Sequence, residues 1–180
     1  DVETLGGVYT DDAFECTVCL APKMARTAKF LVALCRGIPI LNRKWLEDSA
    51  VMNSFQPYDS YYLKDSAAEK KYGFKLRESL KSANENLLFK NIVIYITEGV
   101  KPDANTLRTI IQAAGGRIVT ELDANINSEE KLIIISCDDD QKIWHEINEM
   151  SGLPIHSAEF ILTGVLRQKV EFENHILLNK

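Results

Sequence analysis

The chain repeats itself. Gly37-Ile-Pro-Ile40 precedes a helical pattern from Asn42 to Val51, and Gly152-Leu-Pro-Ile155 precedes another from Ser157 to Leu166. In both copies a large aromatic stands eight residues after the glycine, Trp45 in one and Phe160 in the other. A glycine pair recurs upstream, Gly6-Gly7 before Val8-Tyr-Thr10 and Gly115-Gly116 before Arg117-Ile-Val-Thr120. Two copies about 110 residues apart are too few for a solenoid, and 180 residues comfortably hold two small domains.

The second copy reads almost completely. Ile92 to Thr97 is a strand, and Asp103 to Ala114 is a helix with Asp103 as its N-cap and Gly115 at its end. Arg117 to Thr120 is a short strand. Leu132 to Ile135 is a continuous apolar strand of the kind buried on both faces. Asp139 to Met150 follows as a helix, Leu153 to Ile155 as a strand, and Ser157 to Gln168 as a helix capped by Ser157. Strands alternating with helices mean an α/β unit around a parallel sheet.

The first copy is shorter. Five residues precede Gly6-Gly7, where the second copy spends over twenty on a strand and a helix, so residues upstream of Asp1 are expected to supply them. Between the copies, Tyr72 to Leu87 sets Leu76, Leu80, Ala83 and Leu87 on one stripe, which predicts a docked helix rather than a flexible linker. The expected division is a first repeat at 1–56, a linker with its helix at 57–90 and a second repeat at 91–180.

Composition excludes several classes. The apolar fraction of 46% supports real cores, and no run approaches the ~18 apolar residues of a membrane span, Leu132 to Ile135 being only strand length, so no membrane span is expected. No signal peptide opens the chain, and four unevenly placed cysteines make no disulfide framework, which points to a reducing compartment. A net charge of −5 argues against a general nucleic-acid binder. The charge is uneven, however: residues 1–90 carry +1 and residues 91–180 carry −6. From Cys16 to Leu46 there are six basic residues and no carboxylate. Such a run is either a solvated face or the surroundings of an anion site.

Lys29 bears on that choice. A helix is expected to begin near Thr27 and stop at Gly37, which puts Lys29 in its first turn, where the macrodipole disfavours a cation. A bound anion reverses the penalty, because the ammonium and free backbone N–H groups then converge on it. Phosphate is the obvious candidate, with Thr27 supplying a hydroxyl and Arg26 a second cation. The alternative is an exposed lysine in water.

Other motifs carry less. Cys16 and Cys19 have redox or zinc spacing, but no second pair exists and the three histidines lie in the other copy, so both read as buried core thiols. Asp138-Asp-Asp140 reads as a helix cap with solvated neighbours, His145-Glu146 lacks the second histidine of a zinc protease, and Trp45 reads as core. No catalytic constellation, metal site or cofactor motif is found, and no enzyme is expected.

The glycine pair, the G-[IL]-P-[IL] strand and the aromatic of the last helix together resemble the BRCT repeat, here as a tandem pair. Arg26-Thr-Ala-Lys-Phe-Leu31, Gly37-Ile-Pro-Ile-Leu41, Tyr72-Gly-Phe-Lys-Leu76 and Leu162-Thr-Gly-Val-Leu-Arg-Gln168 are similar to the pairs of DNA-damage-response mediator scaffolds, fungal multi-BRCT replication-fork scaffolds among them. The resemblance spans essentially the whole chain.

It implies two BRCT-like α/β domains, each a small parallel four-stranded sheet flanked by helices, packed together with a linker helix. It also implies a nuclear phosphopeptide reader without cofactor, metal, membrane or sequence-specific DNA contact. The ligand expected is a phosphoserine motif, foremost the phosphorylated C-terminal histone tail at DNA breaks. Lys29 matches the family's phosphate-binding lysine, with Thr27 beside it. Arg26 matches the arginine that reads the peptide beyond the phosphate, and Thr163 and Arg167 match groove positions of the second repeat. The first repeat's Ser/Thr-Gly, the other half of the phosphate pocket, has no match here; Thr97-Glu-Gly99 is its counterpart in the second repeat. The alternative is a phosphate-independent protein-docking pair.

Overall fold

Thr27 starts the helix that organises the molecule. Its extended backbone and its hydroxyl, which accepts from the Phe30 N–H at 3.3 Å, cap α1 (Ala28–Cys35). Gly37 ends it with a φ of +65°, and the N–H groups of Gly37 and Ile38 return to the Leu34 and Ala33 carbonyls. In this computed structural model, which describes residues 2–179, α1 lies between β1 (Cys19–Leu20) and β2 (Ile40–Leu41), a two-stranded parallel sheet. A 3₁₀ turn, Glu3–Leu5, precedes them and α2 (Lys44–Val51) follows. Trp45 is buried as expected, stacked on Phe55 and donating from its indole to the Gln56 carbonyl at 2.8 Å.

The linker holds two helices, α3 (Ser66–Tyr72) and α4 (Leu76–Glu85). Gly73, with a φ of +67°, breaks the single run expected from Tyr72. Leu87 lies beyond α4 and is 52% exposed, so the buried stripe is Leu76, Ser79, Leu80 and Ala83. α4 touches both repeats. The Asn84 side chain donates to the Gly37 carbonyl at 2.8 Å, and the buried Ser79 hydroxyl donates to the Leu166 carbonyl at 2.5 Å.

The second repeat runs β3 (Ile92–Ile96), α5 (Ala104–Ala113), β4 (Arg117–Val119), β5 (Lys131–Ile135), a 3₁₀ segment (Asp138–Ile143), α6 (Trp144–Ser151), β6 (Ile155–His156), α7 (Glu159–Arg167) and β7 (Ile176–Leu178). Strand order is β4-β3-β5-β6-β7. Four strands are parallel, and the fifth, β7, is antiparallel and was not expected. Asp103 caps α5 by accepting from the Thr106 N–H at 3.0 Å. Ser157 stands one residue before the N-cap of α7, its hydroxyl serving the Glu159 N–H at 3.3 Å.

Strand alternation sorts the two faces of this sheet. Ile94, Ile133 and Ile135 share a core with residues of α5, α7 and α1, whereas Tyr95, Ile134 and Ile155 pack with Trp144 and Ile147 of α6. Phe30 to Cys35 are all buried, because α1 packs on α5, α7 and α4 as well as on its own sheet. A helix whose last six residues are all buried is the seam between the repeats.

The second copy has the four parallel strands expected plus the antiparallel β7, whereas among the described residues the first sheet has two strands, plus an isolated Leu41–Tyr62 bridge. Val8 to Thr10 form no ladder, with Val8 87% and Tyr9 75% exposed. Their counterpart β4 pairs only with β3, and the first repeat has no strand in that place among the described residues.

Candidate functional site

Arg26 immediately precedes the α1 cap, which carries it to the junction with α7. Its Nη1 donates to both carboxylate oxygens of Glu159, at 2.7 and 2.6 Å, and its guanidinium lies 4.9 Å from the centre of the Tyr72 ring. Glu159 also accepts from the Thr163 hydroxyl one helical turn on. Burial raises the Glu159 pKa, but the hydrogen bonds from Arg26 and Thr163 outweigh it and hold the carboxyl below its ordinary range. Arg167 meets the backbone of the same tyrosine. Its Nε donates to the Tyr72 carbonyl at 2.7 Å, and Nη1 donates to Glu171 at 3.1 Å. Three expected residues thus meet at the junction of the repeats, Arg26 and the buried Thr163 on Glu159 and Arg167 on the Tyr72 backbone.

Lys29 points elsewhere. Its ammonium, on a side chain 66% exposed, pairs with Asp11 at 2.7 Å, which raises the lysine pKa and lowers that of the aspartate through the hydrogen bond and the charge. The pair lines a cleft of about 810 Å³ shared with Gly6, Gly7 and Thr10. At the same helix start, the N–H groups of Ala28 and Lys29 have no hydrogen-bond partner among the described residues, and the first turn holds no carboxylate. The Thr27 oxygen is occupied as the cap, but its hydrogen remains free to donate.

The second repeat treats the corresponding place differently. The Gly99 N–H donates to Asp140 Oδ2 at 2.7 Å, and the Thr97 hydroxyl followed by this N–H lowers the Asp140 pKa. A Cβ on Gly99 would stand 2.8 Å from Asp140 Oδ1, so glycine permits the approach. Asp140 does not cap α6, as the sequence suggested for one residue of its triplet; it fills the Thr97-Gly99 loop with the protein's own carboxylate.

The cysteines also depart from expectation. Cys16 and Cys19 are half-buried, Cys16 lying outside β1 with its thiol on the Ala13 carbonyl at 3.4 Å. Cys35 is the core thiol, its pKa pushed up to about 12 by burial. Among the described residues no group of three or more His, Cys, Asp and Glu side chains could hold a metal ion.

Sequence reasoning missed Glu159, Tyr72, Asp11 and Glu171 as parts of these sites. The Glu159–Thr163 spacing of one turn was a usable signal. The Arg26–Glu159 pair, 133 residues apart in the chain, had none.

Comparison with known proteins places both halves. A BRCT domain model matches residues 87–176, and a model of the Regulator of Ty1 transposition protein 107 BRCT domain matches residues 1–63. PAX-interacting protein 1 of Bos taurus is 34% identical over 179 residues, 95% of this chain and 18% of that protein. Mediator of DNA damage checkpoint protein 1 of Homo sapiens is 36% identical over 176 residues, 98% of this chain and 8% of that protein. The chain therefore spans less than a fifth of the length of these relatives. Among solved structures, the BRCT5-BRCT6 domains of S. pombe Brc1 match with a TM-score of 0.81 at 22% identity, over 97% of this chain and 88% of that one. A complex of Rtt107p with a phosphorylated histone matches with a TM-score of 0.70 at 14% identity, over 99% and 84%. At these identities the likeness is one of fold.

Proposed function

We propose that this chain, which belongs to the BRCT family, is a tandem module that reads a phosphoserine peptide across the groove between its repeats. The observation that carries the reading is the start of α1, where the Lys29 ammonium, two unpartnered backbone N–H groups and the Thr27 hydroxyl stand together with no carboxylate in the first turn. A helix N-terminus favours an anion, and the lysine adds a full charge. The self-filled Thr97-Gly99 loop of the second repeat supports a single phosphate site, in the first.

Lys29 and Thr27 take the phosphate. Arg26 uses one nitrogen on Glu159, and its remaining N–H donors receive the peptide beyond, foremost a terminal carboxylate. Thr163 and Arg167 act on the same junction indirectly, the buried Thr163 by holding Glu159 and Arg167 by holding the Tyr72 backbone. The preferred ligand is the phosphorylated C-terminal tail of a core histone ending in a Ser-Gln-type motif. The Rtt107p complex with a phosphorylated histone supports that class, as do the DNA-damage names of the relatives. The role is recruitment of a repair or checkpoint scaffold to nuclear chromatin, with no catalysis and no sequence-specific DNA contact.

One observation favours a phosphate-independent docking pair instead: Asp11 already occupies Lys29. Both groups are exposed, and such pairs are weak and readily exchanged. Fluorescence anisotropy separates the readings with a histone-tail phosphopeptide, its unphosphorylated twin and a C-terminally amidated version. The reading predicts that losing the phosphate weakens binding about tenfold or more, and that amidation weakens it by a separate factor through Arg26. Equal binding of the phosphorylated and unphosphorylated peptides refutes it.

A further inference from the structure

We propose that the opposite face of the second repeat carries a second binding surface, a groove that takes a basic peptide segment anchored by one large apolar side chain. The groove lies between the chain that leaves β4 and the outer side of α6, with a volume of about 360 Å³. Tyr95, Ile147 and the 65% exposed Met150 give it an apolar lining, and Glu121, Asp123 and Glu146 stand around it. No lysine or arginine lines it.

The carboxylates are the informative part. Among the described residues, none of the three makes an ion pair or accepts a hydrogen bond through its side chain. Elsewhere Glu130, Glu159 and Glu171 are each matched with an arginine. Glu146 gains from the N-terminal end of α6, but Glu121 and Asp123 stand on a loop and have no such reason to face the same groove. The surroundings do not compensate: residues 121–150 hold nine carboxylates and two lysines. Like charges gathered on an apolar groove repel one another, and a ligand that brings lysines or arginines relieves the repulsion while its apolar side chain covers Met150. The size suits one or two side chains, as in peptide capture, and is at the lower limit for a small-molecule site.

This surface is independent of the phosphate reading. Tyr95 and Ile147 belong to the core on the α6 side of the sheet, whereas Arg26 and Lys29 flank the start of α1, which packs against α5 and α7 on the other side.

The test is an amide chemical-shift titration of the whole chain with acetyl-Lys-Lys-Leu-Lys-Lys-amide, pentalysine and acetyl-Glu-Glu-Leu-Glu-Glu-amide. The leucine-bearing basic probe is expected to shift Tyr95, Ile147 and Met150 and to bind about fivefold or more tightly than pentalysine, while the acidic probe does nothing. The exposed substitutions Glu146→Lys and Met150→Ser should each weaken that probe and leave phosphopeptide binding unchanged. Equal binding of pentalysine, shifts confined to the α1 side, or no shift at Tyr95 and Met150 would overturn the proposal.

Discussion

Lys29 and Arg26 stand three residues apart and are restrained in opposite ways. Arg26 is held between Glu159 and the Tyr72 ring, so its position is set before any ligand arrives. Lys29 has an exposed partner in Asp11, which a phosphate bound as proposed would displace. Asp11→Asn should therefore tighten phosphopeptide binding by about two- to fivefold at low ionic strength, and the gain should shrink above roughly 0.5 M salt. Unchanged affinity at low salt would show that Asp11 does not compete. Lys29 was legible from its place at a helix start, and Arg26 from the motif around it. Their acidic partners were not, because each lies on a different segment of the chain.

Among the elements, the second repeat was legible nearly strand by strand, since its apolar runs are bounded by clear caps and glycines. The linker was misread where the helical run was carried across Gly73 and its leucine stripe past the end of α4, because periodicity alone does not see a turn. The three-residue β7 gave no pattern long enough to recognise. Two contacts make testable claims about these elements. Ser79→Ala removes the buried donor that ties α4 to the end of α7, and should cost about 1–3 kcal/mol in chemical denaturation; no change would show that the two helices are not coupled through it. Arg117 holds Glu130 with two hydrogen bonds and brings its pKa down to about 2. A carboxylate with a lowered folded pKa stabilises in full above its unfolded value of about 4.3, and that contribution fades as the pH falls towards 2. The melting-temperature gap between the parent and Glu130→Gln should therefore be largest near neutrality, shrink as the pH falls below about 4 and close only below about pH 2. A gap that is independent of pH would contradict the pairing.

At the scale of the molecule, α1 belongs to both repeats at once. Its buried face meets α5 and α7, and α4 clamps the seam from the linker. Leu34, fully buried in α1, is the natural probe. Leu34→Ala should cost about 2–5 kcal/mol and lower a single calorimetric transition, whereas loss of only part of the transition would show that the repeats unfold separately. Charge is divided as well, a carboxylate-free window around α1 against a strongly acidic second half, and the net −5 conceals both. Whether the α1 start reads phosphate is decided by a four-way binding cycle. Parent and Lys29→Ala chains are each titrated with the phosphorylated and unphosphorylated histone-tail peptides. Dephosphorylation is expected to cost the parent about tenfold or more and the variant far less, so that the two losses overlap. The same penalty for dephosphorylation in a folded Lys29→Ala chain would contradict that expectation.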